Sequence, residues 1–495
     1  MGNLFNVLQS SPHDVKRTQH APSLSLEPGI VHWVPSRYNI RATTDDGRLV
    51  LWNSYSGKMS VFSSRQRPSL ESLLSRKGFE SRAEGIVKYL LDRGYLVKAG
   101  TDEYQRIQLG FGQQHYRTDV LQLILLASED CNFRCTYCYE DFARGTMLPS
   151  VREGIKNMVK TRLPSLRNLS ISWFGGEPLY GIDAVRDLAP FFLKTAKEND
   201  LRYVSNMTTN GYLLTQDVAQ QLLDWEVRHY QITIDGAPED HNQSRPARTG
   251  DGTFSTIFEN LKAMSQLDEE YFIDVRVNFD NKNYPRLDTL LDLMEKEFCN
   301  DSRYRLRFRA VGQWGGNGDA ELDVCGVEDK ERIQLEMKTE ARKRGLSLSD
   351  DIRSVKGLGA QVCYAARPYN FIVGSTGKLM KCTVDLDMKD RNVVGVLKED
   401  GNMEIDRDKF AMWTEPAFEK DSKCQKCVVL PTCQGTFCPQ IRFDHNTSPC
   451  SPLRMGAKKE LLETAREMEE RALARKVAVT PQAAAEGDQS QVADA

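Results

Sequence analysis

The run Leu121-Gln-Leu-Ile-Leu-Leu126, followed four residues later by Cys131-Asn-Phe-Arg-Cys135-Thr-Tyr-Cys138-Tyr-Glu140, decides how this chain is read. The apolar run predicts a strand, and the three cysteines lie in the loop that leaves its end. Three thiolates cannot fill the four corners of a cubane, so a 4Fe-4S cluster held here keeps one iron without a protein ligand. That iron is open to a substrate. A zinc site would want four nitrogen or sulfur ligands, and no nearby histidine supplies the fourth. A disulfide framework is not expected in a chain of 495 residues that opens without a secretory pattern.

Downstream, strand-like runs alternate with amphipathic helical stretches, as a parallel βα architecture requires. Strands are predicted at Leu121–Leu126, Leu169–Phe174, Arg202–Thr208, His229–Ile234, Phe272–Phe279 and Tyr304–Ala310. Helices are predicted at Val151–Arg162, Asp183–Glu198, Gln216–Trp225, Phe254–Gln266 and Arg286–Phe298. Six such units suit an α/β partial (β/α)6 TIM-like barrel, whose reactive face is built from the loops at the C-terminal strand ends. The distinctive clusters all fall there: the cysteine loop, Gly175-Gly176-Glu177-Pro178, Thr209-Asn210-Gly211, Asp235-Gly236, Asn278, and Val311-Gly312-Gln313-Trp314. Each alone has a plain reading as a turn or a solvated loop. Together they imply one shared mouth.

The cysteine spacing, with an aromatic before its last cysteine, resembles the radical S-adenosylmethionine (radical SAM) superfamily, as do the clusters that follow it. The resemblance implies that the open iron chelates the amino and carboxylate groups of SAM. One-electron reduction then yields methionine and a 5'-deoxyadenosyl radical that abstracts hydrogen. By the same resemblance Gly175, Gly176 and Glu177 face the SAM ammonium, Asn210 lies near the ribose, and Tyr137 lies beside the adenine. Thr233 and Asp235 take the places of the family's SxDG motif, with threonine for serine, and Arg245 sits against the SAM carboxylate. A flavodoxin- or ferredoxin-type electron donor is implied.

Seven of the 12 cysteines lie in the C-terminal third: Cys363, Cys382 (as Gly377-x4-Cys), Cys424, Cys427, Cys433, Cys438 and Cys450. Paired Cys-x2-Cys also occurs in zinc ribbons, but seven ligands do not make two four-coordinate sites. The order resembles the SPASM domain of many radical SAM enzymes. That implies two auxiliary 4Fe-4S clusters, one on Cys424, Cys427, Cys433 and Cys450, the other on Cys363, Cys382 and Cys438 with an open iron. The family more often has three residues between the fifth and sixth cysteines, and this chain has four, Gln434 to Phe437. Cys299 and Cys325 read as buried small hydrophobes, with Cys325 a lesser candidate for a cluster ligand.

The implied organisation is a disordered stretch 1–25, an N-terminal α+β domain 26–118, the barrel 119–320, a helical linker 321–362, the iron–sulfur SPASM domain 363–455, and a charged helix with disordered tail 456–495. The N-terminal part predicts a hairpin, Tyr38–Thr43 and Leu49–Ser54 about Asp45-Asp46-Gly47, a third strand Lys58–Phe62, two helices and a return strand Gly94–Val97. It loosely resembles the leader-peptide-binding domains beside peptide-modifying radical SAM enzymes; a cap that shields the barrel is the other reading.

A net charge of −3 makes no electrostatic case for nucleic acid. No apolar run approaches membrane-spanning length, and ten cysteines committed to iron imply a reducing cytoplasm. The resemblance covers roughly Leu121 to Leu453 and implies a peptide or protein substrate, matured by a thioether or carbon–carbon cross-link or by epimerisation. Formylglycine formation in a sulfatase is the alternative, and a non-catalytic metal-binding scaffold a further one. Sulfatase maturases carry an aspartate base directly after the Gly-x4-Cys cysteine; here that residue is Thr383, which leaves Asp385 and Asp387 as candidates for a base.

Overall fold

The computed structural model describes residues 29–479 apart from 143, 317, 350–354, 387–388 and 448–449. The expectations for 1–25 and for the tail beyond 479 lie outside the described residues, as does the Asp387 candidate.

Strands β1 (Val31–Pro35), β2 (Asn39–Thr43), β3 (Leu49–Asn53), β4 (Met59–Phe62), β5 (Phe79–Ser81) and β6 (Leu96–Lys98) form two three-stranded antiparallel sheets, β2-β3-β4 and β5-β1-β6. The hairpin stands where the sequence puts it, whereas β1, which pairs with the return strand β6 on one side and with β5 on the other, has no clear pattern, and neither has β5. On β2, Ile40 and Ala42 point inward and Arg41 and Thr43 outward, but every residue of β3 is buried. The cause is packing on both faces. Leu49 and Leu51 join a core with Trp33, Leu70 and Leu90, while Val50 and Trp52 pack on Leu453, Ala457 and Leu461 of the C-terminal helix Leu453–Val479.

The barrel strands are β7 (Val120–Ser128), β8 (Asn168–Gly175), β9 (Arg202–Thr209), β10 (Val227–Thr233), β11 (Phe272–Phe279) and β12 (Tyr304–Ala310). All five adjacent pairs are parallel, and each strand lies within two residues of its predicted ends. The helices Pro149–Arg162, Ile182–Glu198, Gln216–Asp224, Phe254–Ser265 and Leu287–Phe298 cover them, burying residues such as Ile155, Leu188, Leu222, Ile257 and Leu290.

The sheet continues from the barrel into the cysteine-rich C-terminal part. Strand β13 (Asn370–Val373) pairs in parallel with β7, Asn370 opposite Gln122 through Val373 opposite Leu125. Strands β14 (Lys378–Met380), β15 (Val393–Leu397) and β16 (Met403–Ile405) then extend it antiparallel, so that barrel and cysteine-rich lobe share ten strands. Cys325 is buried in the barrel core and Cys299 packs against it, as small hydrophobes do.

Candidate active site

The loop after β8 is built against the cysteine loop after β7. Gly176 N–H donates to Ser128 O at 3.0 Å and Glu177 N–H to Asp130 O at 3.1 Å. Gly175 has φ +120°, and a Cβ there would lie 2.1 Å from Ser128 O; one on Gly176 would lie 2.6 Å from Asp130 O. Only glycine fits this approach. Cys131, Cys135 and Cys138 line one cavity with about 1140 Å³ of empty space, bounded also by Tyr137, Gly175, Gly176, Asn210, Thr233 and Arg245. Burial pushes the Cys138 thiol up to about 12 and the Cys131 and Cys135 thiols upward as well. A cationic group is what would draw them to thiolates.

The Tyr137 hydroxyl is the hub of this site. It donates to Asp235 Oδ2 and accepts from Arg245 Nη1 at 2.7 Å and from Asn278 Nδ2 at 3.0 Å. Asp235, 1% exposed, also accepts from Ser244 Oγ at 3.1 Å and from Asn278 N–H at 3.3 Å. Asp235 therefore does not line the cavity; it acts through Tyr137. Arg245 Nε is buried and lacks a hydrogen-bond partner within the chain. An unsatisfied guanidinium nitrogen on a residue lining this cavity suits a carboxylate.

Sequence reasoning missed His241. Its Nδ1 accepts from Asp235 N–H at 3.2 Å, which leaves the proton on Nε2 to reach Thr253 Oγ1 at 3.1 Å; Thr253 in turn donates to Arg245 O at 2.7 Å. The relay fixes the backbone at both Asp235 and Arg245. Gln231 of β10 and Arg276 of β11 also line the cavity; both strands carry other polar residues, so nothing in the sequence singles these two out.

Glu177 is not among the residues that line the cavity. It is fully buried and accepts from Leu179 N–H at 2.9 Å, Thr209 Oγ1 at 2.7 Å and Asn210 N–H at 2.7 Å. The carboxylate ties the second loop to the third instead. Its pKa is raised by burial, against which those three bonds act.

The C-terminal cysteines fall into two groups. Cys424, Cys427, Cys433 and Cys450 line a second cavity of about 380 Å³, where Arg454 Nη1 donates to Cys450 Sγ at 3.1 Å. Cys363 lies within electrostatic reach of both Cys438 and Cys382, and burial pushes the Cys363 and Cys382 thiols up to about 11 and about 12. Tyr139, next to Cys138, in turn feels Cys382, which places this set beside the first cavity. Among the described residues no three His, Cys, Asp or Glu side chains converge tightly enough for a single metal ion. The three thiols on the first cavity and the four on the second are donor sets that fit iron–sulfur clusters.

Of the candidate bases, Asp385 is held in a bidentate pair by Arg391, at 2.6 and 2.9 Å, and does not line the main cavity. Thr383 does line it, with its hydroxyl 2.8 Å from Tyr364 Oη.

Residues 125–294 match the family model of the radical SAM superfamily. A cysteine-type anaerobic sulfatase-maturating enzyme of Clostridium novyi is 25% identical over 332 residues, covering 63% of this chain and 86% of that protein. A GTP 3',8-cyclase of Tolumonas auensis is 34% identical over 146 residues, 28% of this chain and 40% of the cyclase. A solved structure of native anSMEcpe with bound AdoMet and Cp18Cys peptide shares the fold, with a TM-score of 0.53 at 19% identity over 72% of this chain and 99% of that one.

Proposed function

We propose that this radical SAM enzyme carries its SAM-binding 4Fe-4S cluster on Cys131, Cys135 and Cys138 and modifies a peptide or protein substrate, with two auxiliary clusters on the C-terminal cysteine sets. The observation that carries the reading is the single cavity lined by three thiols of one loop together with Arg245, whose buried Nε lacks a partner within the chain. A cluster held by these three cysteines would supply the electron for reductive cleavage of bound SAM and so the hydrogen-abstracting chemistry of the reaction. The chain's own residues do the rest. Arg245 holds the SAM carboxylate, Tyr137 and Asp235 hold Arg245, and Asn210 and Thr233 face the remaining polar groups. The tight Gly175-Gly176 backbone leaves room for the methionine end of SAM beside Cys131.

A peptide substrate is supported by the sulfatase-maturating relative, matched over 86% of its length, and by the peptide bound in a protein of the same fold. Maturation of a ribosomally made peptide is preferred over formylglycine formation for one reason. The residue after Cys382 does face the cavity, but it is Thr383, and Asp385 is committed to Arg391. A flavodoxin- or ferredoxin-type donor in a reducing cytoplasm would supply the electron. No helix among the described residues is long and apolar enough to cross a membrane.

Anaerobically reconstituted protein should hold about twelve irons, and a Cys131/Cys135/Cys138→Ala triple variant should lose about a third of them and all formation of 5'-deoxyadenosine. Zinc as the dominant metal in protein prepared without air would end this reading.

A further inference from the structure

Among the described residues, the acidic and basic side chains that line the main cavity are Glu140, Arg245 and Arg276. Strand pairing sets Arg276 into the wall. It stands on β11 opposite Thr233 of β10 and Arg307 of β12, and side chains alternate along a strand, so Asp274, Arg276 and Asn278 share one face. The carboxylate on that face is already taken: Asp274 Oδ2 accepts from Arg307 Nη2 at 2.7 Å. Arg276 donates from Nε to Asn278 Oδ1 at 2.7 Å, and Asn278 Nδ2 donates onward to Tyr137 Oη at 3.0 Å. The guanidinium is thus anchored at Nε. Among the described residues its two terminal NH2 groups have no hydrogen-bond partner and no carboxylate pairs with it.

Burial pulls the pKa of Arg276 down to about 10, which leaves it a cation at neutral pH. A cation drawn out of water without a counter-charge is costly, and a planar fork of free N–H donors matches a carboxylate through two parallel bonds. SAM brings one carboxylate, and Arg245 beside Tyr137 accounts for it. Arg276 is left for a second one. Its neighbours in the cavity wall belong to the side where the sheet ends: Ala310 closes the edge strand β12, and Val311, Gly312 and Trp314 follow it. Trp314 is 45% exposed, an aromatic face open to whatever enters. An amphipathic ring at the rim and a cation in the wall behind it suit a peptide that carries negative charge.

We propose that Arg276 is a specificity residue that receives a carboxylate of the peptide substrate, so that the residue attacked lies beside an aspartate, a glutamate or the peptide's own C-terminus. The inference rests on the function proposed above, to which it adds the class of substrate, an acidic peptide.

The test is equilibrium dialysis of full-length, anaerobically reconstituted, SAM-loaded protein against four labelled tripeptides: acetyl-glycyl-aspartyl-glycine amide, its asparagine counterpart, acetyl-triglycine with a free C-terminal carboxylate, and acetyl-triglycine amide. At least one acid should bind about tenfold or more tightly than its neutral partner, as a hydrogen bond to a charged group allows. The pair that shows the preference identifies which carboxylate is received. Arg276→Gln should erase the preference, and Arg276→Lys should keep only part of it. No preference in the wild type, or one that survives Arg276→Gln with full iron, would overturn the proposal. So would a SAM dissociation constant that rises further than that of the acid, because the guanidinium would then belong to SAM. If Arg276→Gln does not keep its iron, Arg276→Lys is read alone, and a preference there equal to the parent's overturns the proposal equally. Failure of the underlying function would look different: wild-type protein would form no 5'-deoxyadenosine from SAM under reduction, whatever the tripeptides do.

Discussion

The hydroxyl of Tyr137 donates to the Asp235 carboxylate across 98 residues of sequence, and it is this bond that binds the cysteine loop to the end of the fourth barrel strand. Tyr137→Phe keeps the ring and deletes the hub. Arg245 Nη1 and Asn278 Nδ2 then each lose an acceptor in a buried site. SAM affinity should fall by about 1.5–3 kcal/mol, the range for hydrogen bonds to charged groups, while iron content holds. An unchanged SAM dissociation constant, by calorimetry on iron-replete protein, would remove Arg245 and Tyr137 from the SAM site.

Glu177→Gln tests a clamp. The two carboxylate oxygens accept three bonds, and an amide offers one oxygen and turns an NH2 toward a donor. The expected loss is about 1–3 kcal/mol of stability, seen as a lower melting temperature and easier iron loss from the cysteine loop. A variant as stable as the parent but weak in SAM binding would restore the direct ammonium contact.

Leu461, 0% exposed, belongs to the helix that begins three residues after Cys450 and packs that helix against the N-terminal sheet. Leu461→Ala should cost about 2–5 kcal/mol and reduce iron at the Cys424, Cys427, Cys433 and Cys450 set. That outcome would favour the N-terminal unit as a structural cap. Full iron and stability with impaired handling of a leader-bearing peptide would favour leader docking.

His115 is buried and stacked on Phe111, and burial pulls its pKa from 6.5 down to about 4. Between those values the unfolded chain takes up a proton that the folded chain refuses. Its contribution is therefore intact above pH 6.5 and is lost as pH falls toward 4, by about 1.4 kcal/mol per unit. His115→Gln should flatten the stability profile in that window; a slope equal to the parent's would mean that other groups govern it.

The barrel was legible because its chemistry sits at strand ends and its strands are long. Phe272–Phe279 and Tyr304–Ala310 were read to the residue. Strand β13 was not, since Asn370-Phe-Ile-Val373 is four residues long and its partner lies about 250 positions earlier. The two carboxylates of the motifs, Glu177 and Asp235, are buried in hydrogen bonds to other loops, which the motifs alone do not specify. A motif fixes where a backbone turns; the donors that capture a side chain come from other loops. Trp52 shows the same limit. Its strand is buried on both faces, and the second face is covered by a helix some 400 residues onward that nothing near Trp52 in the sequence announces.

Strand β13 also has a consequence for dissecting the protein. Without it, β7 would end the sheet as an open edge, nine residues long with eight of them buried in the intact chain. Such an edge is a template for pairing with other chains. A fragment cut after Val362 would not be a smaller catalyst, because the piece removed is what keeps the barrel from sticking to its neighbours.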